Sequence, residues 1–114
     1  MSVAADVVDA QVEAYRARDV ERFMSYYADD ISVVLFDGTP MFPNKYVMRE
    51  QYAKLFADSP DLNLVIAGRV TAGDFVVDEE HISGMHFGDM PAEMTIVSVY
   101  RVTDGKISKL MLLF

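Results

Sequence analysis

The closing run Met94-Thr95-Ile96-Val97-Ser98-Val99-Tyr100-Arg101-Val102-Thr103-Asp104-Gly105-Lys106-Ile107-Ser108-Lys109-Leu110-Met111-Leu112-Leu113-Phe114 is two strand-length apolar stretches around one Asp-Gly pair. β-Branched and aromatic residues recur in both stretches, and Asp-Gly suits the positive backbone angles of a tight type I′ hairpin. Met94 to Thr103 and Lys106 to Phe114 are therefore predicted strands. Alternation puts Met94, Ile96, Ser98, Tyr100 and Val102 on one face of the first, against Thr95, Val97, Val99 and Arg101. In the second, Leu110, Leu112 and Phe114 oppose Ile107, Met111 and Leu113. Both faces are substantially apolar, so one can meet helices while the other needs separate cover, most simply from a homodimer through the outer sheet face.

Upstream, Phe75 to about Phe87 reads as another strand, and Leu62, Leu64, Ile66, Gly68 and Val70 alternate onto one face of the strand before it. Beyond the breaker Asp58-Ser59-Pro60-Asp61 the period changes. Met48, Tyr52, Leu55 and Phe56 form the stripe of a helix that Asn44 can cap and that runs to about Ala57. Ile31 to Phe36 reads as a strand, preceded by a short helix capped by Asp19 with stripe Val20, Phe23, Met24 and Tyr27, ended by Asp29 and Asp30. The first helix, Ala4 to Ala17, carries Val8, Gln11, Val12 and Tyr15 on one stripe. The order α-α-β-α-β-β-β-β, helices gathered ahead of an antiparallel meander, indicates an α+β domain with the helices on one face of the sheet.

The totals agree with one small domain. A chain of 114 residues is long enough to bury a core, and its 52% hydrophobic content implies apolar surface beyond that core, for a cavity or a subunit interface. A net charge of −8 disfavours nucleic acid and anionic membranes as partners. The chain has no cysteine, which removes thiolate nucleophiles and thiolate metal sites and fits a reducing cytoplasm. Asp6, Asp9 and Glu13 stand where a secretory leader would be basic and then apolar, so a cytoplasmic protein is expected.

The element order, together with Tyr15-Arg16-Ala17-Arg18-Asp19-Val20-Glu21-Arg22-Phe23, Tyr27-Ala28-Asp29-Asp30 and Asp104-Gly105-Lys106-Ile107, resembles the SnoaL-like branch of the nuclear transport factor two-like superfamily. Ketosteroid isomerases and polyketide cyclases are relatives. The resemblance covers nearly the whole chain and implies a cone-shaped domain, with a curved antiparallel sheet packed on three helices around an apolar pocket. It places the isomerases' tyrosine oxyanion donor on Gln11, their aspartate base on Leu35 and their protonated aspartic acid on Ser98. With leucine at the base position, that proton-shuttling mechanism cannot run as such. The same resemblance puts Tyr27 and Tyr52 in a hydrogen-bonding network converging with Gln11. Tyr15, His86 and Leu112 complete the expected ligand-binding lining.

The one acidic constellation in a strand-like segment is Asp78-Glu79-Glu80-His81. Alternation allows either parity: Val76, Asp78, Glu80, Ile82, Gly84 and His86 on one face, or Glu79 and His81 with Phe75, Val77 and Met85 on the other. The resemblance makes the first parity inward. Asp78 and Glu80 would then share a pocket wall, their affinity for protons raised by desolvation and mutual repulsion, and could divide acid and base roles. The opposite parity would give a Glu79–His81 pair instead.

His81 and His86 face opposite ways, so no metal site is expected. The scattered glycines form no phosphate loop, and no nucleophile elbow is present. The expectation is a cofactor-independent isomerase-, cyclase- or dehydratase-type enzyme acting on a small apolar metabolite, with Asp78 and Glu80 catalytic. The alternatives are a non-catalytic ligand-binding module and a dimeric adaptor.

Overall fold

The computed structural model describes residues 2–114. Its elements are α1 (Val3–Arg16), α2 (Val20–Ser25), β1 (Tyr27–Leu35), α3 (Lys45–Asp58), β2 (Asn63–Ala72), β3 (Phe75–Ser83), β4 (Met94–Thr103) and β5 (Lys106–Leu113), in the anticipated order. Each helix begins where a short polar side chain replaces missing helical bonds: Ser2 accepts from the Ala5 N–H, Asp19 from Arg22 and Asn44 from Val47.

The five strands form one curved sheet in the order β1-β5-β4-β3-β2. Neighbours from β2 to β5 are antiparallel; β1 lies parallel to β5, so the sheet is mixed at that edge. Positive φ at both Asp104 and Gly105, with Thr103 opposite Lys106, gives the tight hairpin the Asp-Gly pair requires. Helix stripes close over one sheet face, where Val8, Val12, Phe23, Met48, Val76 and Ile107 are all buried.

The chain departs from simple periodicity in three places besides the β4–β5 register shift between Arg101 and Val102. That shift buries Ile107 on the inner face with Leu110 and Leu112 and not on the outer face with Met111 and Leu113. Helix α2 stops at Ser25 and β1 begins at Tyr27, several residues ahead of Ile31, because β5 recruits the segment: the Ile107 N–H donates to the Tyr26 carbonyl at 2.8 Å and Tyr27 pairs with Ile107. Asp29 and Asp30 lie exposed in the irregular stretch that follows and do not mark the helix end.

The second departure is a bulge in β2. Ile66 stands opposite Glu80 and Gly68 opposite Glu79, leaving Ala67 as an extra residue. The bulge reverses side-chain parity, so Gly68 and Val70 do not share the face of Leu62, Leu64 and Ile66. Val70 is 64% exposed, while Arg69 turns inward opposite Asp78.

The third lies at Gly84, where β3 has already ended at Ser83 and does not continue to Phe87. Its φ is +69°, and a Cβ there would sit 2.1 Å from the Asp61 carbonyl oxygen, so the position accepts only glycine without rearrangement. The turn breaks the alternation. Met85 is buried where a continuing strand would have put it outward, and His86 is exposed.

Candidate functional site

The inward face of β3 carries Val76, Asp78, Glu80 and Ile82, all buried, while Glu79 and His81 are exposed and pair with each other at 3.1 Å on the outer face. Asp78 and Glu80 share the inward face of β3, but each is held by different partners. Asp78 receives a bidentate ion pair from Arg69, with Nε to Oδ1 at 2.7 Å and Nη2 to Oδ2 at 3.0 Å. Arg69 also reaches the α1 residue Asp9 at 2.6 Å, and these carboxylates push the guanidinium pKa up. A planar fork matched to two carboxylate oxygens is a strong positioning contact, and it occupies Asp78 as a structural partner.

Glu80 is held differently. Ser98 Oγ donates to its Oε1 at 2.7 Å and the Tyr100 hydroxyl donates to its Oε2 at 3.1 Å. The Gln11 Nε2 donates in turn to the Tyr100 oxygen at 3.2 Å, and the Tyr27 hydroxyl donates to the Gln11 Oε1 at 2.9 Å. A relay Tyr27–Gln11–Tyr100–Glu80 therefore links β1, α1, β4 and β3. Burial raises the Glu80 pKa to about 7, the Ser98 and Tyr100 hydrogen bonds pull it down, and the Asp78 charge pushes it up. Burial also raises the phenols of Tyr27, Tyr52 and Tyr100, reinforced by Tyr52 and then Glu80 at Tyr27 and by Glu80 at the other two, keeping them protonated donors at neutral pH.

Two adjoining spaces lie between the helices and the sheet. The inner one, about 50 Å³, is lined by the relay, Ser98 and the rings of Tyr15 and Tyr52. The outer one, about 130 Å³, is almost wholly apolar, with loop residues Met41, Phe42, Phe87 and Met90 on one side. Tyr15, Tyr52, Ile82, Ile96 and Leu112 border both. Tyr52 packs edge-on to Tyr15 with ring centroids 6.4 Å apart. Among the described residues, neither the Tyr15 nor the Tyr52 hydroxyl has a side-chain hydrogen-bond partner in the relay.

Gln11, Tyr15, Tyr27, Tyr52, Ser98, Leu112 and Glu80 thus come together around these spaces. Asp78, Leu35 and His86 line neither. Leu35, at the end of β1, pairs with Leu112 in the sheet. The backbone of His86 is tied to Ser59, whose Oγ accepts its N–H at 2.9 Å, which holds this loop residue away from the pocket. Tyr100 and Arg69 were not singled out from the sequence. Tyr100 shares a face with Ser98, so its participation follows from parity once that face is inward, whereas Arg69 is brought in by the bulge. No group of three His, Cys, Asp or Glu among the described residues converges as a metal site, and no helix is long and apolar enough to cross a membrane.

A comparison with curated proteins finds no match. Among solved structures, an uncharacterised cystatin-fold protein of Novosphingobium aromaticivorans superposes with a TM-score of 0.86 at 25% identity, covering 100% of this chain and 99% of that one. An LEH-like epoxide hydrolase of M. tuberculosis matches at 0.77 and 16% identity over 98% of this chain and 82% of its own. An NTF2-like protein of unknown function from Cytophaga hutchinsonii matches at 0.77 and 12% identity, over 98% and 89%. The last two show a shared fold. The SnoaL-like domain model runs over residues 8–110, from the first helical stripe into the last strand, and the chain belongs to the SnoaL-like family.

Proposed function

We propose that this protein is a cofactor-independent acid–base enzyme acting on a compact, mostly apolar molecule, with Glu80 as the proton-exchanging group. The observation that carries the reading is the buried Glu80 carboxyl, held only by the hydroxyls of Ser98 and Tyr100, its pKa pushed up to about 7 by burial, and bordering a small chamber that adjoins a larger apolar one. A base whose pKa sits near the working pH exchanges protons most effectively. Asp78 leaves the catalytic role assigned to it from sequence and becomes, with Arg69, the brace that fixes β2 against β3. Tyr15 and Tyr52 supply protonated hydroxyls to polarise a carbonyl or leaving oxygen while Glu80 takes or returns a proton. Isomerisation, cyclisation and dehydration all fit such an arrangement.

Cyclohexanone serves as a probe because its α-protons exchange with D₂O under general-base catalysis. The protein should accelerate deuterium uptake, followed by NMR, with a rate that rises through pH 7 as Glu80 ionises. Glu80→Gln should lower the acceleration by about 100-fold or more. Equal exchange by the variant would remove Glu80 from the mechanism.

A homodimer through the outer sheet face is a second element of the proposal. Val70, Val77, Val99 and Met111 stand side by side across β2 to β5 on that face, next to Val34 of β1, which the chain itself covers. Arg101 and Lys109 flank this row on one side and Glu79 on the other. A two-fold axis along the row sets the basic flank of one copy across from the acidic flank of the other, and large apolar faces are rarely left open. Light scattering should give twice the chain mass, and Val99→Glu should halve it. A wild-type monomer at about 100 μM would exclude a tight dimer.

A further inference from the structure

The two chambers differ in what forms their walls, and that difference bears on the shape of the molecule they accept. The inner space is bounded by side chains on helices and strands: the relay Tyr27–Gln11–Tyr100–Glu80, Ser98 beside it, and the apolar Phe23, Leu64 and Leu110. At about 50 Å³ it has room for one or two non-hydrogen atoms, since a water molecule occupies about 30 Å³ in the liquid. The outer space, about 130 Å³, is close to the volume of about 150 Å³ at which an apolar protein cavity holds one benzene ring. Its border with the inner space is rigid, made by Tyr15, Tyr52, Ile82, Ile96 and Leu112 on regular elements.

Part of its remaining wall, beside Leu55 of α3 and Met94 of β4, is of another kind. Met41 and Phe42 come from the connection between β1 and α3, and Phe87 and Met90 from the connection between β3 and β4. These four residues border the outer space and not the inner one. All four are only partly buried, and two are methionines, the unbranched, polarizable side chains that most readily repack around a guest. Room for growth therefore exists on the side away from Glu80, and none exists beside it.

We propose that the substrate is a single-ring molecule bearing one small polar group, which enters the inner chamber, and that substituents are tolerated only on the ring position opposite that group, where they extend between the two loops. This rests on the pocket reading above and specifies the substrate class for the same site. Fused rings beside the polar group would collide with Ile82, Ile96 and Leu112, which the sheet holds in place. Met41 and Met90 act as specificity-determining residues through the space they leave.

Two ketones of identical composition test this directly: 4-propylcyclohexanone, with its chain opposite the carbonyl, and 2-propylcyclohexanone, with its chain beside it. Binding is read from the methyl signals of ¹³C-methyl-methionine protein, with Met41, Met85, Met90 and Met94 bordering the outer space as reporters. The 4-isomer should bind at least about tenfold tighter than the 2-isomer, a difference that misplacing a few methylenes against a fixed wall readily produces. Met90→Ala should admit a longer 4-alkyl chain without improving the 2-isomer.

Equal or tighter binding of the 2-isomer, or of a fused bicyclic ketone, overturns the shape inference. In that case unsubstituted cyclohexanone still shifts the methionine signals and exchanges its α-protons, and the pocket reading stands. If none of the ketones perturbs those signals, both fail.

Discussion

Asp78 and Glu80 stand two residues apart on the same strand, point the same way and are both withdrawn from water, yet they are held in opposite manners. Asp78 meets a guanidinium in a two-pronged ion pair. Glu80 meets only neutral hydroxyls, from Ser98 and Tyr100. A charge taken out of water is stable when a counter-charge accompanies it; without one, the group holds its proton more firmly. On the function proposed above, the difference gives one carboxylate to structure and leaves the other to exchange a proton. Its origin lies on the neighbouring strand, where the extra residue at Ala67 brings Arg69 opposite Asp78 and Ile66 opposite Glu80.

Breaking the Asp78 side should have the largest effect. Arg69→Ala strands a fully buried carboxylate and should cost about 4 kcal/mol in urea denaturation. Replacing both partners by apolar residues, Arg69→Met with Asp78→Leu, should recover most of that loss. A single variant as stable as the wild type would mean that the ion pair is not a brace.

The Glu80 side should announce itself through pH. Its folded pKa of about 7 lies above the ordinary 4.5, so between these values the native state holds more proton than the unfolded chain. The stability that Glu80 contributes is then greatest below about pH 4.5, falls as pH rises through 7 and levels off above, with about 3 kcal/mol lost across the window. The difference between wild type and Glu80→Gln, followed by denaturation from acid to mildly alkaline pH, isolates this contribution from the other carboxylates. A constant difference would show that Glu80 titrates normally.

A smaller change sharpens the contrast. Ser98→Ala removes a donor that favours the ionised form, and a hydrogen bond to a charged group is worth about 1.5 kcal/mol. The Glu80 midpoint should move up by about one pH unit, read from its carboxyl ¹³C shift. An unchanged midpoint would leave Tyr100 as the donor that matters.

Much of this is legible in the sequence alone. The caps Asp19 and Asn44, the hairpin at Asp104-Gly105 and the inward stripe Val8-Gln11-Val12-Tyr15 are local matters, decided by capping chemistry, turn geometry and helical period. The inward parity of Glu80 and the convergence of Gln11, Tyr27, Tyr52 and Ser98 came from the family resemblance, which carries information about packing that alternation lacks. Alternation extended past Gly84 puts His86 inward, but the positive φ there ends the alternation, and Leu35, a position carried over from relatives, does not border this chain's own cavity. The start of β1 was set too late because the pairing of Tyr27 with Ile107 joins residues far apart in the chain.

By itself, then, the sequence determined the elements, their order, the apolar surplus and the family, because helix caps, turns and side-chain periods act over a few residues. Only the tertiary structure decided which carboxyl meets a counter-charge. That choice depends on Arg69 crossing from β2 to Asp78, and one extra residue in the ladder, invisible to a period-two reading, turns that side chain from solvent to the interior.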